Sequence, residues 1–227
     1  MESLKRKTVL VMGQLGGLDE TIGRKFHQEG AWVIFAGENN VIGKKVMKEW
    51  GERCTFLYLD FKNEQDWKQI NERIILDFGG LDMLINTSLF SKTHQEIDAS
   101  DSKKELKVWN EKMVDSLVSI IWACQYGIPL MKRKNGGIIL NIYPSLKELT
   151  DSKMIREAFI QSGIRLYAEA VAQWCLENNS SIRCHSFQNR GFLSFEVLSN
   201  AILHLVISDA KHEIDKDFVA AGGMIIQ

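Results

Sequence analysis

Thr8-Val9-Leu10-Val11-Met12-Gly13-Gln14-Leu15-Gly16-Gly17-Leu18-Asp19 is the stretch that decides the fold. A strand-forming run enters a turn holding three glycines, and Glu20–Gln28 then reads as a helix. Strand, glycine-rich turn and helix open a βαβ unit, the arrangement that aims backbone N–H groups at an anionic ligand. Outward from this turn the alternation repeats. Trp32–Ala36, Thr55–Leu59, Met83–Ile85, Gly137–Ile142, Ile182–Phe187 and Asp217–Ala221 read as strands. Between them Val41–Trp50, Glu64–Phe78, Ser102–Lys132, Lys153–Glu177 and Phe195–Val206 read as helices, the pattern near the start of Ser102–Lys132 allowing a break. Strands that alternate with helices predict a parallel sheet covered on both faces. The expectation is one α/β domain over residues 1–227, a doubly wound Rossmann-type sheet of about seven strands.

Bulk composition fits that expectation. A chain of 227 residues suits one core, and 45% hydrophobic with 25% charged residues is the balance of a soluble protein. A formal net charge of -1 gives no electrostatic footprint for nucleic acid or an anionic membrane. No apolar run is long enough for a membrane span, and no secretory h-region follows Met1, so the default compartment is the cytoplasm. Cys54, Cys124, Cys175 and Cys184 lack metal-ligand spacing and read as buried thiols, so no metal is expected. His185 and His204 read as packed residues and the six tryptophans as core or interface.

Further landmarks are specific. Gly30-Ala31-Trp32-Val33-Ile34 leads into the second strand, and Asp60 ends the third. Leu81-Asp82-Met83-Leu84-Ile85-Asn86-Thr87-Ser88-Leu89, Trp109-Asn110, Gly137-Ile138-Ile139-Leu140-Asn141-Ile142, Ser208-Asp209-Ala210 and Gly222-Gly223 follow at matching distances. Together with Gly13 and Gly17, these segments resemble the short-chain dehydrogenase/reductase family over essentially the whole chain. The resemblance implies a nicotinamide-dinucleotide cleft touched by Gly13, Gly17, Asp60 and Asn86. It also implies an Asn-Ser-Tyr-Lys tetrad, and at those positions stand Ser116, Pro144, Glu157 and Gln161. Proline offers no hydroxyl, Gln161 carries no charge to stabilise a phenolate, and Glu157 is ordinarily ionised at neutral pH. The expectation is a catalytically degenerate member without activity of its own.

The cofactor positions are altered as well. Asp19 stands where the third glycine of the turn belongs and puts a carboxylate where phosphate should lie. Leu89 replaces the glycine that lies against the cofactor. Gly37-Glu38 ends the second strand without the usual aspartate or arginine, and Asn189-Arg190 replaces a Pro-Gly. These changes predict that NAD(H) or NADP(H) binding is lost or weak, with Gly13, Gly17, Asp60 and Asn86 vestigial and Asp19 and Leu89 obstructing. Only 18 positions separate Arg190 from Ser208, so the substrate lid is expected to be shortened.

Helices 102–132 and 153–177 stay long and apolar, with Met113, Leu117, Ile120, Ile121, Phe159, Ile160, Leu166 and Tyr167. In the resembled family the equivalent helices pair across a two-fold axis. The favoured reading is a structural or regulatory subunit that joins a catalytically intact relative as a dimer or heterotetramer. The family offers a precedent in the two-subunit hydroxyacyl-CoA dehydrogenase of benzylsuccinate (toluene) degradation. The alternatives are a nucleotide-binding sensor and an enzyme with altered chemistry around Tyr143 and Glu157.

Overall fold

A computed structural model describes residues 3–13, 15–87, 102–144, 152–189, 194–208, 217–221 and 224–226. The elements run β1 Thr8–Met12, α1 Leu18–Gln28, β2 Trp32–Gly37, α2 Asn40–Trp50, β3 Cys54–Tyr58, α3 Glu64–Phe78, β4 Met83–Asn86 and α4 Ser102–Lys132. They continue with β5 Gly137–Pro144, α5 Ser152–Glu177, β6 Ile182–Asn189, α6 Phe195–Ser208, β7 Asp217–Ala221 and β8 Met224–Ile226. One sheet holds all the strands in the order β3-β2-β1-β4-β5-β6-β7-β8. β1 to β7 pair in parallel and β8 returns antiparallel on β7. The sequence reading anticipates seven strands; the three-residue β8 is too short for an alternation signal. No break divides α4, which runs through Pro129.

Period-two alternation assigns side chains to the two faces of the sheet. Val9, Val11, Val33, Phe35, Ile85, Leu140 and Phe187 point to the face covered by α1 and α6 through Leu18, Ile22, Phe26, Leu198 and Ile202. Leu10, Met12, Ile34, Leu84, Ile139 and Cys184 point to the opposite face, under α3, α4 and α5. There Trp67 stacks on Tyr126, with ring centroids 5.9 Å apart. The tryptophans split: Trp67 is buried, whereas Trp32 and Trp174 are exposed. Cys124, Cys175 and Cys184 are buried as expected, but Cys54 is only half-buried; its burial still pushes the thiol up to about 12. His185 is packed in the sheet, but His204 lies on the exposed side of α6.

Residues 190–194 alone separate β6 from α6, so no lid helices stand between them. α6 instead lies along α1, where Lys25 and Glu196 form an ion pair. No helix among the described residues is long and apolar enough to cross a membrane.

The lower edge of the sheet hangs on Asp82. Its Oδ2 accepts from Thr8 N at 2.9 Å, its Oδ1 pairs with Lys7 Nζ at 2.8 Å, and its carbonyl accepts from Ile138 N at 3.1 Å. One residue thereby registers β1, β4 and β5. Asp82→Ala leaves the buried Thr8 N–H without its acceptor and is expected to lower stability by about 2 kcal/mol, read as a shift in the urea midpoint with unchanged slope.

Candidate functional site

The strand order reverses direction between β1 and β4, and in doubly wound sheets ligands bind at that switch point, beyond the carboxyl ends of the strands. The residues there are Gly13, Leu15 to Asp19, Gly37, Asp60, Asn86 and Thr87. Backbone packing around Gly13 is very close. Gly13 N donates to Ala36 O at 3.2 Å, and Thr87 donates to Met12 O through both its amide and its hydroxyl, each at 2.9 Å. A Cβ on Gly37 would collide with the carbonyl oxygen of Gly13, and a Cβ on Gly13 would collide with Asp19 Oδ2 and Thr87 Oγ1. Both positions therefore require glycine for space.

Asp19 occupies the inside of the turn. Its Oδ2 accepts from Leu15 N at 2.5 Å, and its Oδ1 accepts from Gly17 N at 3.2 Å and Glu20 N at 2.9 Å. The side chain is buried, only 5% exposed. The helix starts at Leu18, two residues ahead of the Glu20 start in the sequence reading; the carboxylate satisfies Glu20 N in its first turn and the N–H groups of Leu15 and Gly17 ahead of it, and the N-cap Gly17 has no side chain to do so. Leu15 takes a left-handed φ of 59°, which folds its amide back toward that carboxylate. On the outside, the Phe195 ring at the start of α6 lies 3.7 Å from the position a Gly17 Cβ would take.

Asp60 closes the loop after β3. Its Oδ1 accepts from Lys62 N at 2.9 Å, while Asp60 N donates to Asp66 Oδ2 at 3.0 Å. Asn86 on β4, Asn141 on β5 and Ser186 on β6 sit side by side in register, a buried polar row across the sheet near the carboxyl ends. Sequence reasoning singled out Asn86 but missed the row, because Asn141 and Ser186 become neighbours only through the parallel pairing.

The positions matched to the tetrad are spread over three elements. Ser116 lies on α4, Pro144 ends β5, and Glu157 and Gln161 lie on α5. The side chains of Ser116, Pro144 and Glu157 fall outside the described residues, as does all of Leu89. Gln161 is only 6% exposed, and its Oε1 has no hydrogen-bond partner among the described residues. Tyr143, 4% exposed, packs with Ile120, Ile160 and Ile164 where β5 meets α4 and α5. Tyr167 is held protonated by burial, next by the neighbouring Cys124 and Cys184 thiols, which makes it a poor proton donor at neutral pH.

A dinucleotide's phosphates fit the glycine-rich turn: Gly13 and Gly37 carry no side chain where β1 and β2 meet, and nothing lies within 4 Å of the position a Gly16 Cβ would take. Gly13, Gly17 and the N-terminus of α1 would hold the pyrophosphate, and Asp60 lies at the β3 end of the same edge. When bound, such a group supplies or accepts hydride.

Comparison with known proteins gives a family model for the short chain dehydrogenase that matches residues 7–148. The chain is similar to a 3-beta-hydroxysteroid dehydrogenase from Comamonas testosteroni, 26% identical over 190 residues, 83% of this chain and 72% of the relative. It is also similar to a (+)-cis,trans-nepetalactol synthase from Nepeta racemosa, 25% identical over 254 aligned positions, 99% of this chain and 93% of that one. A 7alpha-hydroxysteroid dehydrogenase from Clostridium sardiniense is 22% identical over 189 residues, 82% and 71%. These findings overturn the expectation of lost NAD(H) or NADP(H) binding. The matched segment takes in β1 through β5, the half that carries the dinucleotide cleft, in a family of nicotinamide-dependent dehydrogenases. The physical error lies at Asp19: its carboxylate is buried under the turn, where three backbone N–H groups donate to it, and is not projected into the cleft.

Gly37→Ala forces a methyl group into the Gly13 carbonyl. Backbone cannot yield as a flexible side chain does, so a loss of about 3 kcal/mol is expected, seen as a lower melting temperature together with weakened NADH binding.

Proposed function

The chain belongs to the short-chain dehydrogenase family, and from that premise we propose that it is a dinucleotide-binding member without the family's hydride-transfer chemistry, serving as the structural or regulatory subunit of a complex with a catalytically intact relative. The observation that carries this reading is a contrast along α5. Gln161, where the family's lysine belongs, is an uncharged buried amide, while the outer face of the same helix displays Phe159, Leu166 and Trp174, 53%, 56% and 44% exposed. Phe159 and Leu166 lie seven residues apart, two turns along one stripe. Ile121 on α4 is 40% exposed. Inside, α4 and α5 approach closely, Leu117 lying 3.4 Å from the position of a Gly163 Cβ. The two helices thus form one rigid slab with an apolar outer side, the kind of surface that a second subunit covers.

The chemical argument runs parallel. A carbonyl reduction of this family's type needs a phenol of lowered pKa as acid and a cation to lower it. Pro144, Glu157 and Gln161 supply neither, and Tyr143 is buried with Ile120, Ile160 and Ile164. A chain that binds the dinucleotide but cannot move the proton still stabilises and orients a partner.

Phe159→Glu combined with Leu166→Glu is expected to leave the fold intact, since both side chains are more than half exposed. It should weaken assembly at least a hundredfold, because burying each large apolar side chain contributes roughly 1.5–3 kcal/mol. Sedimentation of the chain co-expressed with an intact family member reads this directly; an unchanged complex would sink the subunit reading.

A second reading is favoured by the nepetalactol synthase relative, which aligns over nearly the whole chain and is named for a synthase and not a dehydrogenase. On this reading the chain is an enzyme of altered chemistry using Tyr143 and Glu157. Glu157→Ala should then abolish any turnover found in a substrate screen; retention of that turnover removes Glu157 from the chemistry.

A further inference from the structure

We infer that Asp19 is a positioning residue for the dinucleotide pyrophosphate: from beneath the glycine-rich turn its carboxylate holds the backbone in the shape that leaves the amides of Gly16, Leu18 and Asp19 for the phosphates. This rests on the reading that the cleft takes a nicotinamide dinucleotide. The N–H groups of the turn divide into two sets. Those of Leu15, Gly17 and Glu20 donate to the carboxylate, at 2.5, 3.2 and 2.9 Å. Those of Gly16, Leu18 and Asp19 find no acceptor among the described residues. Donors in a turn of positive φ that leads into a helix N-terminus are the groups that phosphate oxygens take up. Gly16 is exposed, and nothing lies within 4 Å of the position its Cβ would take, so an anion has room there.

Two further observations tie the carboxylate to the shape of the turn. Leu15 has a φ of 59° and Gly16 a φ of 96°, consecutive residues at positive φ. A leucine rarely adopts that conformation, and it persists where its surroundings over-determine it; here the bond from Leu15 N to Asp19 Oδ2 does so. The carboxylate is itself seated in the space that Gly13 leaves by having no side chain, and is only 5% exposed. The link from residue 15 to residue 19 therefore fixes the amides between them before any ligand arrives, and donors ordered in advance cost the ligand less. The negative charge alone would oppose a phosphate, but three charge-assisted hydrogen bonds already meet it beneath the turn, so ordering outweighs repulsion.

The test is titration of the full chain and of Asp19→Asn with NADH, followed by ligand fluorescence, with thermal melting to confirm folding. Asparagine keeps the size but accepts at only one end, so either Leu15 N or the pair Gly17 N and Glu20 N faces an NH2 group. The inference expects NADH binding by the wild type and, from the lost ordering, binding weaker by about tenfold in D19N. If D19N does not fold, Asp19→Ser, which retains a short capping oxygen, takes its place. Amide hydrogen exchange of the wild type gives a readout that a merely structural role would not move. Leu15, Gly17 and Glu20 should be protected with or without NADH, whereas Gly16, Leu18 and Asp19 should gain protection only when NADH is added. Equal or tighter binding by the folded variant overturns the inference and leaves the dinucleotide reading standing. So does a wild type that binds NADH but loses protection at Leu15, Gly17 and Glu20 or gains none at Gly16, Leu18 and Asp19. Absence of NADH binding by the wild type overturns the two together.

Discussion

Three backbone N–H groups converging on one carboxylate, that of Asp19, set the start of α1, and much of the molecule follows from where that helix begins. With the first turn at Leu18, Leu18, Ile22 and Phe26 fall on one stripe and enter the core against β1 and β2. The same register places Lys25 beside Glu196 and lays α6 along α1. A start two residues later would leave Leu18 outside the helix and remove it from that stripe. The close approach of Gly13 and Gly37 then follows, because β1 and β2 are drawn together where the turn folds back between them.

The fold was legible because its signals are periodic. Val9, Val11, Val33 and Phe35 alternate with Leu10, Met12, Ile34 and Ala36, and the two sets reach separate cores as a two-sided parallel sheet demands. β8 was not legible, since its three residues gain strand character only from pairing with Val219, Ala220 and Ala221. The site was half legible. Gly13 could be located by motif and Gly37 only as a departure from it, and the reason for both glycines is steric and lies in neighbouring strands and the turn. Asp19 could be located too, and its charge suggested repulsion. Only the fold shows that its oxygens point inward to N–H groups, where a carboxylate is stabilised and does not stand in the cleft. His204 likewise followed an apolar sequence context but faces outward on α6, because Leu198, Ile202 and Leu205 already claim the inner stripe.

The two faces of α5 differ sharply in exposure. The inner face packs Ile160, Ile164, Ala168, Ala172 and Cys175 to near-zero exposure. Such packing holds the helix in place whatever its polar residues do, so exchange of a lysine for Gln161 costs the fold little. An isolated lysine at a position only 6% exposed needs a compensating phenol or ribose to repay its desolvation, whereas an amide does not. An uncharged amide at position 161 therefore suits the burial that the packed inner face of α5 imposes.

The shortened segment between β6 and α6 completes that logic. Lid helices contribute by closing over a substrate and excluding water during hydride transfer. With residues 190–194 as the whole connection, α6 begins immediately beside the glycine-rich turn, and Phe195 covers the Gly17 side directly. α6 thus packs directly against the glycine-rich turn at Gly17. The start of α6 is thereby tied to the glycine-rich turn on one side through Phe195 and to α1 on the other through the Lys25–Glu196 pair, so the position of one helix fixes that of the other.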